Sequence, residues 1–196
     1  MNIPKKSSPF FAALLLLFTL CSIATAKSHN DKFPNIKIDN FGQMDEHYYR
    51  GAQPKEKDYA KLKALGINTI IDLQVKPTKY EKADAEALGM KYINIPMYDD
   101  KYPTDDAINT FLKAVNDPAN GTVYVHCKGG RHRTGVTGAV YRMTKYGWDY
   151  DKSMQEMLNY NFDTSYGRKV MKDFVVDYAA KTKSASASRT AAGSAN

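Results

Sequence analysis

The chain has 196 residues, a length typical of one domain with short appendages. Hydrophobic residues make up 43% of the chain and charged residues 25%, which excludes a wholly disordered protein. Two cysteines are too few for a disulfide framework, and the net charge of +7 favours acidic partners without naming one.

Residues 1–26 have the pattern of an export signal. Lys5 and Lys6 precede an uncharged apolar run over residues 10–20, and Ala24-Thr25-Ala26 fits a cleavage site of small residues. The run is shorter than the roughly 20 residues that a helix needs to cross a bilayer, so we expect cleavage and no membrane anchor. We therefore expect an exported protein, in the bacterial periplasm or beyond it.

Cleavage after residue 26 would remove Cys21 and leave Cys127 as the single thiol. A lone cysteine at the end of a strand is most often a small buried hydrophobe. In an exported protein, however, an unpaired thiol is open to oxidation, which makes Cys127 a candidate nucleophile.

Predicted strands and helices alternate between two polar ends. Residues 27–35 are predicted to be a flexible N-terminal segment, residues 36–180 the folded domain, and residues 181–196, rich in Ser and Ala, a disordered tail. Strands are predicted over residues 36–39, 47–50, 67–73, 91–95 and 122–126. Helices are predicted over residues 55–65, 151–160 and 165–180. A further helix is predicted to open with a capping box at Thr78 and Glu81 and to end at Gly89. Two more are predicted, one with an apolar face of Ile108, Phe111, Leu112 and Val115 and one that ends before Gly147. This alternation predicts an α/β fold with a central, largely parallel sheet flanked by helices.

Residues with catalytic potential cluster where the last predicted strand meets a helix. The junction reads His126-Cys127-Lys128-Gly129-Gly130-Arg131-His132-Arg133-Thr134-Gly135. Backbone N–H groups of a glycine-containing loop can form a concave anion site, and the N-terminus of the helix adds unpaired donors. The same donors would lower the pKa of Cys127 from about 8.5 and favour a nucleophilic thiolate. Arg133 can bind two phosphate oxygens through its planar guanidinium, and Thr134 is placed to donate its hydroxyl to the sulfur.

The junction resembles the signature of the cysteine-dependent protein tyrosine phosphatase superfamily, in which His-Cys is followed by five residues and Arg. Residues 130–135 look most like the atypical dual-specificity phosphatases of plants and fungi and their bacterial relatives. The likeness extends, with less specificity, to residues 49–54, 65–73 and 95–97. It implies a dual-specificity-phosphatase-like fold, a cysteinyl-phosphate intermediate, no metal or other cofactor, and a general-acid Asp on the loop before the helix that leads to the signature strand.

Two adjacent carboxylates on residues 96–103 are candidates for that acid. In several dual-specificity relatives the acid stands three residues after a proline in this loop, which selects Asp99 and leaves Asp100 as the alternative. Asp105 and Asp106 better fit the first turn of the next helix, where acids interact favourably with the helix dipole.

Basic side chains within the loop bear on the choice of substrate. Lys128, Arg131 and His132 are three potential cations, more than one phosphate needs. The candidate phosphate-binding residues are Lys128, Gly129, Gly130, Arg131, His132 and Arg133. We expect a densely phosphorylated small molecule such as an inositol polyphosphate, since relatives with similar basic loops include inositol phosphatases. The alternative partner is a phosphoprotein, and a rhodanese-like sulfurtransferase or a phosphate-binding module is a further alternative. Nucleic-acid binding has only the modest charge in its favour, and the cysteine and histidines lack zinc-ligand spacing.

Overall fold

The chain folds into a five-stranded sheet with helices on both faces. The computed structural model describes residues 32–193. The strands are β1 (Gly42–Gln43), β2 (Tyr48–Ala52), β3 (Thr69–Gln74), β4 (Lys91–Met97) and β5 (Val123–Cys127). Their order across the sheet is β1-β2-β5-β3-β4. Only β1 is antiparallel to its neighbour, and the other four strands are parallel.

The three inner strands β2, β5 and β3 are buried along their whole length. Parallel strands covered by helices on both faces have no solvent-facing side, which explains the lack of polar alternation in residues 67–73. The register places Ala52 opposite Cys127, and His126 opposite both Gly51 and Asp72. The carboxyl ends of these strands therefore meet at one edge of the sheet, around Cys127.

Six helices cover the sheet in two groups. They are α1 (Tyr59–Ala64), preceded by a 3-10 turn, α2 (Glu81–Ala87), α3 (Asp105–Asn116), α4 (Arg133–Tyr146), α5 (Tyr150–Asn159) and α6 (Lys169–Gly193). The helices α3 to α6 enclose one core, with Phe111, Val136, Met157 and Phe174 among its members. The helices α1 and α2 and the N-terminal segment enclose the other. Full burial of such a side chain contributes about 1.5–3 kcal/mol.

The predicted α/β class is confirmed, while the first predicted strand is wrong. Residues 36–39 form no strand, and β1 lies further along, at Gly42–Gln43. Ile36 and Ile38 are nevertheless buried, because both pack into the α1 side of the core. Their alternation with polar residues was the pattern of a strand, but burial here comes from an irregular segment.

Both predicted flexible ends differ in part from the structure. The signal-peptide prediction for residues 1–26 falls outside the described residues. Phe33, within the segment 27–35, packs against Phe41 and Tyr49 with ring centroids 5.3 and 5.8 Å apart. The predicted disordered tail is corrected as far as residue 193, since α6 continues to Gly193. Alanine and lysine are strong helix formers, and the Ser184 and Ser188 hydroxyls donate to carbonyls four residues earlier.

Among residues 32–193, no helix combines the length and the apolar composition that crossing a bilayer requires. This holds also for α6, the longest of these helices.

Candidate active site

Cys127 is the last residue of β5, and Arg133 is the first residue of α4. Residues 128–132 form the loop between them, as the signature pattern predicts. Cys127 is 3% exposed, so its thiol lies at the base of the loop. The strand, the loop and the N-terminus of the helix thus bring the predicted nucleophile and its predicted anion site together.

The surroundings of the Cys127 thiol favour its ionised form. Burial alone would raise the pKa of Cys127, but the charge of Arg133 and hydrogen bonds from Thr134 and Gly130 outweigh it and lower the pKa. The hydroxyl and backbone N–H of Thr134 and the backbone N–H of Gly130 all favour the thiolate, although the Thr134 hydroxyl is buried and meets no partner at hydrogen-bond distance and angle within residues 32–193. A thiolate held in this way is the reactive form of a cysteine nucleophile.

Arg133 keeps hydrogen-bonding capacity for an anion. Its Nη1 donates to the Met97 carbonyl oxygen at 3.3 Å, which ties the guanidinium to the end of β4. Its Nε is buried and has no hydrogen-bond partner within residues 32–193. An unpaired buried donor is costly, and an anion bound in the loop would satisfy it.

Gly130 allows the loop to pack against β2. Its φ is +65°, and a Cβ at this position would lie 2.4 Å from the backbone carbon of Gly51. Both the conformation and the space exclude a larger residue. Glycine is thus required here for packing, in addition to any part in phosphate binding.

Arg50 reaches the loop from β2 and was missed by the sequence analysis. It is fully buried, and its Nη2 donates to the Gly130 carbonyl oxygen at 2.7 Å. Its guanidinium carbon also lies 4.0 Å from the centre of the Tyr160 ring. The sequence did contain a signal for Arg50, which is a charged residue within a strand of otherwise uncharged residues. A charge that is buried in such a strand needs partners, so Arg50 could have been predicted to bind other groups.

Behind Cys127 lies a buried cluster of His126, Glu81 and Asp72. His126 Nε2 lies 2.7 Å from Glu81 Oε1, and His126 Nδ1 lies 3.9 Å from Asp72 Oδ1. Burial by itself lowers the pKa of His126, but Glu81 and then Asp72 reverse this effect and raise it. Thr78 and Glu81 were expected to form a capping box at the start of a helix, but α2 begins at Glu81 without a side-chain cap. The buried Glu81 carboxylate instead accepts a hydrogen bond from the Thr78 hydroxyl at 3.2 Å. His126 is therefore an ion-pair partner held directly beside the nucleophile.

The same three groups are also close enough together to hold a metal ion. Their ligand atoms lie within 4.8 Å of one another. A histidine must be neutral to bind a metal, whereas here the raised pKa of His126 favours its protonated form. The Asp72 oxygens already accept hydrogen bonds from the Tyr92 hydroxyl and the Gln74 backbone N–H. The cluster fits a buried ion pair better than a metal centre.

Asp99 and Asp100 lie on the loop after β4, the strand whose last carbonyl accepts from Arg133. Asp99 is partly buried, and its Oδ2 lies 3.4 Å from Arg168 Nη2. Asp100 is exposed. Asp105 and Asp106 lie in the first turn of α3, as expected.

The basic residues of the loop have different surroundings. Lys128 and Arg131 are exposed, whereas the His132 ring packs near Phe162 with centroids 5.4 Å apart. Its Nε2 lies 3.4 Å from Asp163 Oδ2. Burial, followed by the charge of Arg168, lowers the pKa of His132 and favours the neutral ring. Among the residues that the structure describes, Lys128 and Arg131 are thus exposed cations without a carboxylate partner, whereas His132 lies beside Asp163.

A family model described as "DSP-PTPase phosphatase fused to NAD+ Kinase" matches residues 30–173. The chain is 26% identical over 118 residues to the dual specificity protein phosphatase TpbA of Pseudomonas aeruginosa strain UCBPP-PA14, covering 60% of this chain and 53% of the relative. It is 30% identical over 115 residues to the inositol diphosphatase DSP1 of Oryza sativa subsp. japonica, covering 55% and 51%. The chain spans about half the length of these curated relatives.

Solved structures show the same fold. The core catalytic domain of the PP-IP phosphatase SIW14 from S. cerevisiae, in complex with citrate, has a TM-score of 0.64 and 22% identity, covering 71% of this chain and 85% of that one. A Cys→Ser variant of P. aeruginosa TpbA in complex with pTyr has a TM-score of 0.59 and 24% identity, covering 69% and 82%. At this level of identity the likeness extends to the fold alone.

Proposed function

The chain belongs to the DSP-PTPase phosphatase family, and from this membership we propose that it hydrolyses phosphate monoesters through a cysteinyl-phosphate intermediate. The observation that carries the proposal is the position of the Cys127 thiol, buried at the end of β5 at the base of the loop that leads to Arg133 and α4, where its pKa is lowered. Such a thiolate is ready to attack phosphorus at neutral pH.

In the first step the Cys127 sulfur attacks phosphorus, and the bond from phosphorus to the leaving oxygen breaks. Asp99 gives its proton to that oxygen, while Arg133 and the loop N–H groups bind the phosphoryl oxygens. In the second step water attacks the phosphocysteine, Asp99 takes up the proton of the water, and inorganic phosphate leaves. The Thr134 hydroxyl stabilises the departing thiolate.

We infer that the preferred substrate is an inositol polyphosphate. Lys128 and Arg131 are exposed on the loop and would bind phosphates other than the reacting one. A cavity of about 330 Å³ opens beside the loop, and three lysines from separate segments line it: Lys37, Lys55 and Lys128. Asp39 and Asp58 also line this cavity. Asp58 is buried and accepts a hydrogen bond from the Lys55 backbone N–H at 3.1 Å, whereas Asp39 is exposed, so that one exposed carboxylate stands against three lysines.

The second candidate is a phosphoprotein. Tyr98 is 53% exposed beside Asp99, and its ring could pack against the ring of a phosphotyrosine. The 26% identity to the dual specificity protein phosphatase TpbA supports this candidate by kinship. A lone phosphotyrosine would leave Lys37 and Lys55 unused, which is why we place it second.

A phosphate-release screen of residues 27–196 tests both candidates. The substrates are p-nitrophenyl phosphate, a phosphotyrosine peptide, phospholipid headgroups and inositol polyphosphates, with Cys127→Ser as the blank. We expect metal-independent release and the highest kcat/KM for inositol polyphosphates. A higher kcat/KM for the peptide would identify a protein phosphatase instead. Sulfur transfer from thiosulfate to cyanide without phosphate release would support the rhodanese alternative.

The lysine-lined cavity provides a sharper test. We expect the double variant Lys37→Ala, Lys55→Ala to lose about tenfold in kcat/KM on an inositol polyphosphate, which corresponds to about 1.4 kcal/mol of binding. Hydrolysis of p-nitrophenyl phosphate should be unchanged. Lys57→Ala is the matched control, because Lys57 is exposed on the same turn as Lys55 but does not line the cavity. Equal losses on both substrates would contradict the assignment.

We further propose that the protein is exported through residues 1–26. Lys5, Lys6, the apolar run and Ala24-Thr25-Ala26 support this proposal. Expression of the full chain in a bacterium with a two-membrane envelope should yield a periplasmic product beginning at residue 27. A cytoplasmic product of full length, measured by mass spectrometry, would contradict export.

A further inference from the structure

Three successive carbonyls of the loop are held from behind by the N-terminal part of the chain. The Lys128 carbonyl oxygen accepts from the Gln53 backbone N–H at 3.3 Å. The Gly129 carbonyl oxygen accepts from Asn40 Nδ2, and the Gly130 carbonyl oxygen from Arg50 Nη2, both at 2.7 Å. In a trans peptide the C=O and the N–H point in opposite directions, so a donor bound to each carbonyl fixes where the next N–H points.

The peptide between Gly129 and Gly130 connects Asn40 to the nucleophile. On one side, Asn40 Nδ2 binds its carbonyl oxygen. On the other side, the Gly130 N–H of the same trans peptide points away from Asn40, towards the side of the loop that holds the Cys127 thiol, and it contributes to the lowered pKa of Cys127. Rotation of this peptide would break both contacts together, so Asn40 acts on Cys127 without touching it.

Asn40 is itself held in place by Asn161. The Asn161 Nδ2 donates to Asn40 Oδ1 at 2.7 Å, which leaves the Asn40 amide nitrogen directed to the loop. Both residues have positive φ angles, 53° for Asn40 and 60° for Asn161. Asparagine is among the few residues other than glycine that adopt this conformation readily. Two turns, one before β1 and one after α5, thus meet behind the loop.

We propose that Asn40, oriented by Asn161, is a positioning residue that directs the Gly130 N–H at the Cys127 sulfur. The proposal rests on the phosphatase function only in taking Cys127 as the nucleophile. Its consequence is that the thiolate depends on a side chain that lies behind the loop and does not touch the sulfur. Losing the contact should therefore change the ionisation of Cys127 more than it changes substrate affinity.

Other charged and titratable groups beside Cys127 must stay unchanged in the test. They are Arg133 on α4 and, on β5 itself, His126 and Tyr124. Glu81 on α2 and Asp72 on β3 act through their contacts with His126. None of these is replaced in the Asn40 or Asn161 variants.

The experiment measures the rate of Cys127 alkylation by iodoacetamide against pH. Asn40→Gly is the main variant, because glycine keeps the positive φ and removes only the side chain. We expect its alkylation midpoint to rise by about 0.5 to 1 pH unit, the size of effect expected for one lost hydrogen bond. Asn161→Gly should shift the midpoint in the same direction by less. Asn40→Asp should resemble Asn40→Gly, since a carboxylate cannot donate to a carbonyl.

Steady-state kinetics give a second readout. For Asn40→Gly we expect kcat/KM on p-nitrophenyl phosphate to fall about three- to tenfold at pH values below the midpoint and to recover above it. An alkylation midpoint unchanged from wild type in Asn40→Gly would overturn the proposal. A midpoint that shifts in Asn40→Gly but is unchanged in Asn161→Gly would overturn the role of Asn161 only. Because alkylation needs no turnover, a wild-type protein without phosphatase activity would contradict the proposed function and leave this inference intact.

Discussion

Arg168 Nη2 lies 3.4 Å from Asp99 Oδ2, so a cation from the segment before α6 pairs with one of two adjacent carboxylates after β4. Among the ion pairs of residues 32–193, none includes Asp100. Asp99 is thus tied to a cation of the α6 side of the molecule, while Asp100 is exposed.

We expect Asp99→Asn to lower kcat on phenyl phosphate by about 100-fold or more, because a poor leaving group needs a proton. The loss on p-nitrophenyl phosphate should be much smaller, since nitrophenolate leaves without one. Asp100→Asn is the matched control, with near wild-type kcat on both substrates. The opposite pattern would move the acid by one residue.

Cys127→Ser should abolish turnover and leave phosphate binding largely intact, because a serine hydroxyl does not ionise at neutral pH. Arg133→Lys should also lose most activity, since an ammonium group cannot replace the planar guanidinium. Phosphate-release assays measure both variants, and alkylation of the wild-type thiol should be blocked by phosphate or vanadate. Wild-type rates in either variant would refute the site.

Lys128→Ala and Arg131→Ala should each lower kcat/KM for an inositol polyphosphate by about tenfold and hardly affect p-nitrophenyl phosphate. The preference for the inositol polyphosphate over p-nitrophenyl phosphate should weaken as salt rises, since exposed charges are screened over about 10 Å at an ionic strength of 0.1 M. His132→Ala is the informative contrast, because burial and Arg168 lower the pKa of His132 and favour its neutral form. It should affect both substrates alike. Selective loss in His132→Ala would show that this ring binds substrate as a cation.

Glu81→Gln should lower the melting temperature most strongly at mildly acidic pH. Burial alone would raise the pKa of Glu81, but His126 lowers it. The contribution of the Glu81 carboxylate to folding stability is therefore lost as pH falls through a value below 4.5. Burial alone would lower the pKa of His126, but Glu81 raises it. The contribution of protonated His126 to folding stability is therefore complete below pH 6.5 and is lost as pH rises through the higher pKa of the folded state. The pair therefore stabilises most between these limits, and breaking it should cost about 3 kcal/mol.

Thermal unfolding from pH 4 to 9 measures this effect. Glu86→Gln is the matched control on the same helix, because Glu86 is 54% exposed and lies 3.8 Å from Lys82 Nζ. Its change in stability should be under about 1 kcal/mol. A Glu81→Gln protein as stable as the control at every pH would contradict the buried ion pair.

The parts of the protein that the sequence predicts well are local ones. Cys127 at a strand end and Arg133 at a helix start follow from residue spacing and from the apolar periods on either side. Arg50, Asn40 and Arg168 could not be placed, because their contacts join residues 80, 89 and 69 positions apart in the chain. Such contacts depend on how the turns and strands pack, which periodicity does not encode.

Two predictions failed because more than one physical arrangement satisfies the same pattern. Alternating Ile36 and Ile38 fit a strand, but an irregular segment buries them equally well. The Ser- and Ala-rich residues after 180 fit a disordered tail by their lack of large apolar side chains. Yet alanine is the best helix former, and α6 continues through them.

The two outer strands of the sheet make it a poor template for further strands. β1 is only two residues long, and β4 contains Pro96, which has no N–H to offer a partner. Short edges and edge prolines are the usual protection against pairing between sheets of different molecules. The protein should therefore resist forming β-aggregates when concentrated, even though its central strands are rich in β-branched and aromatic residues.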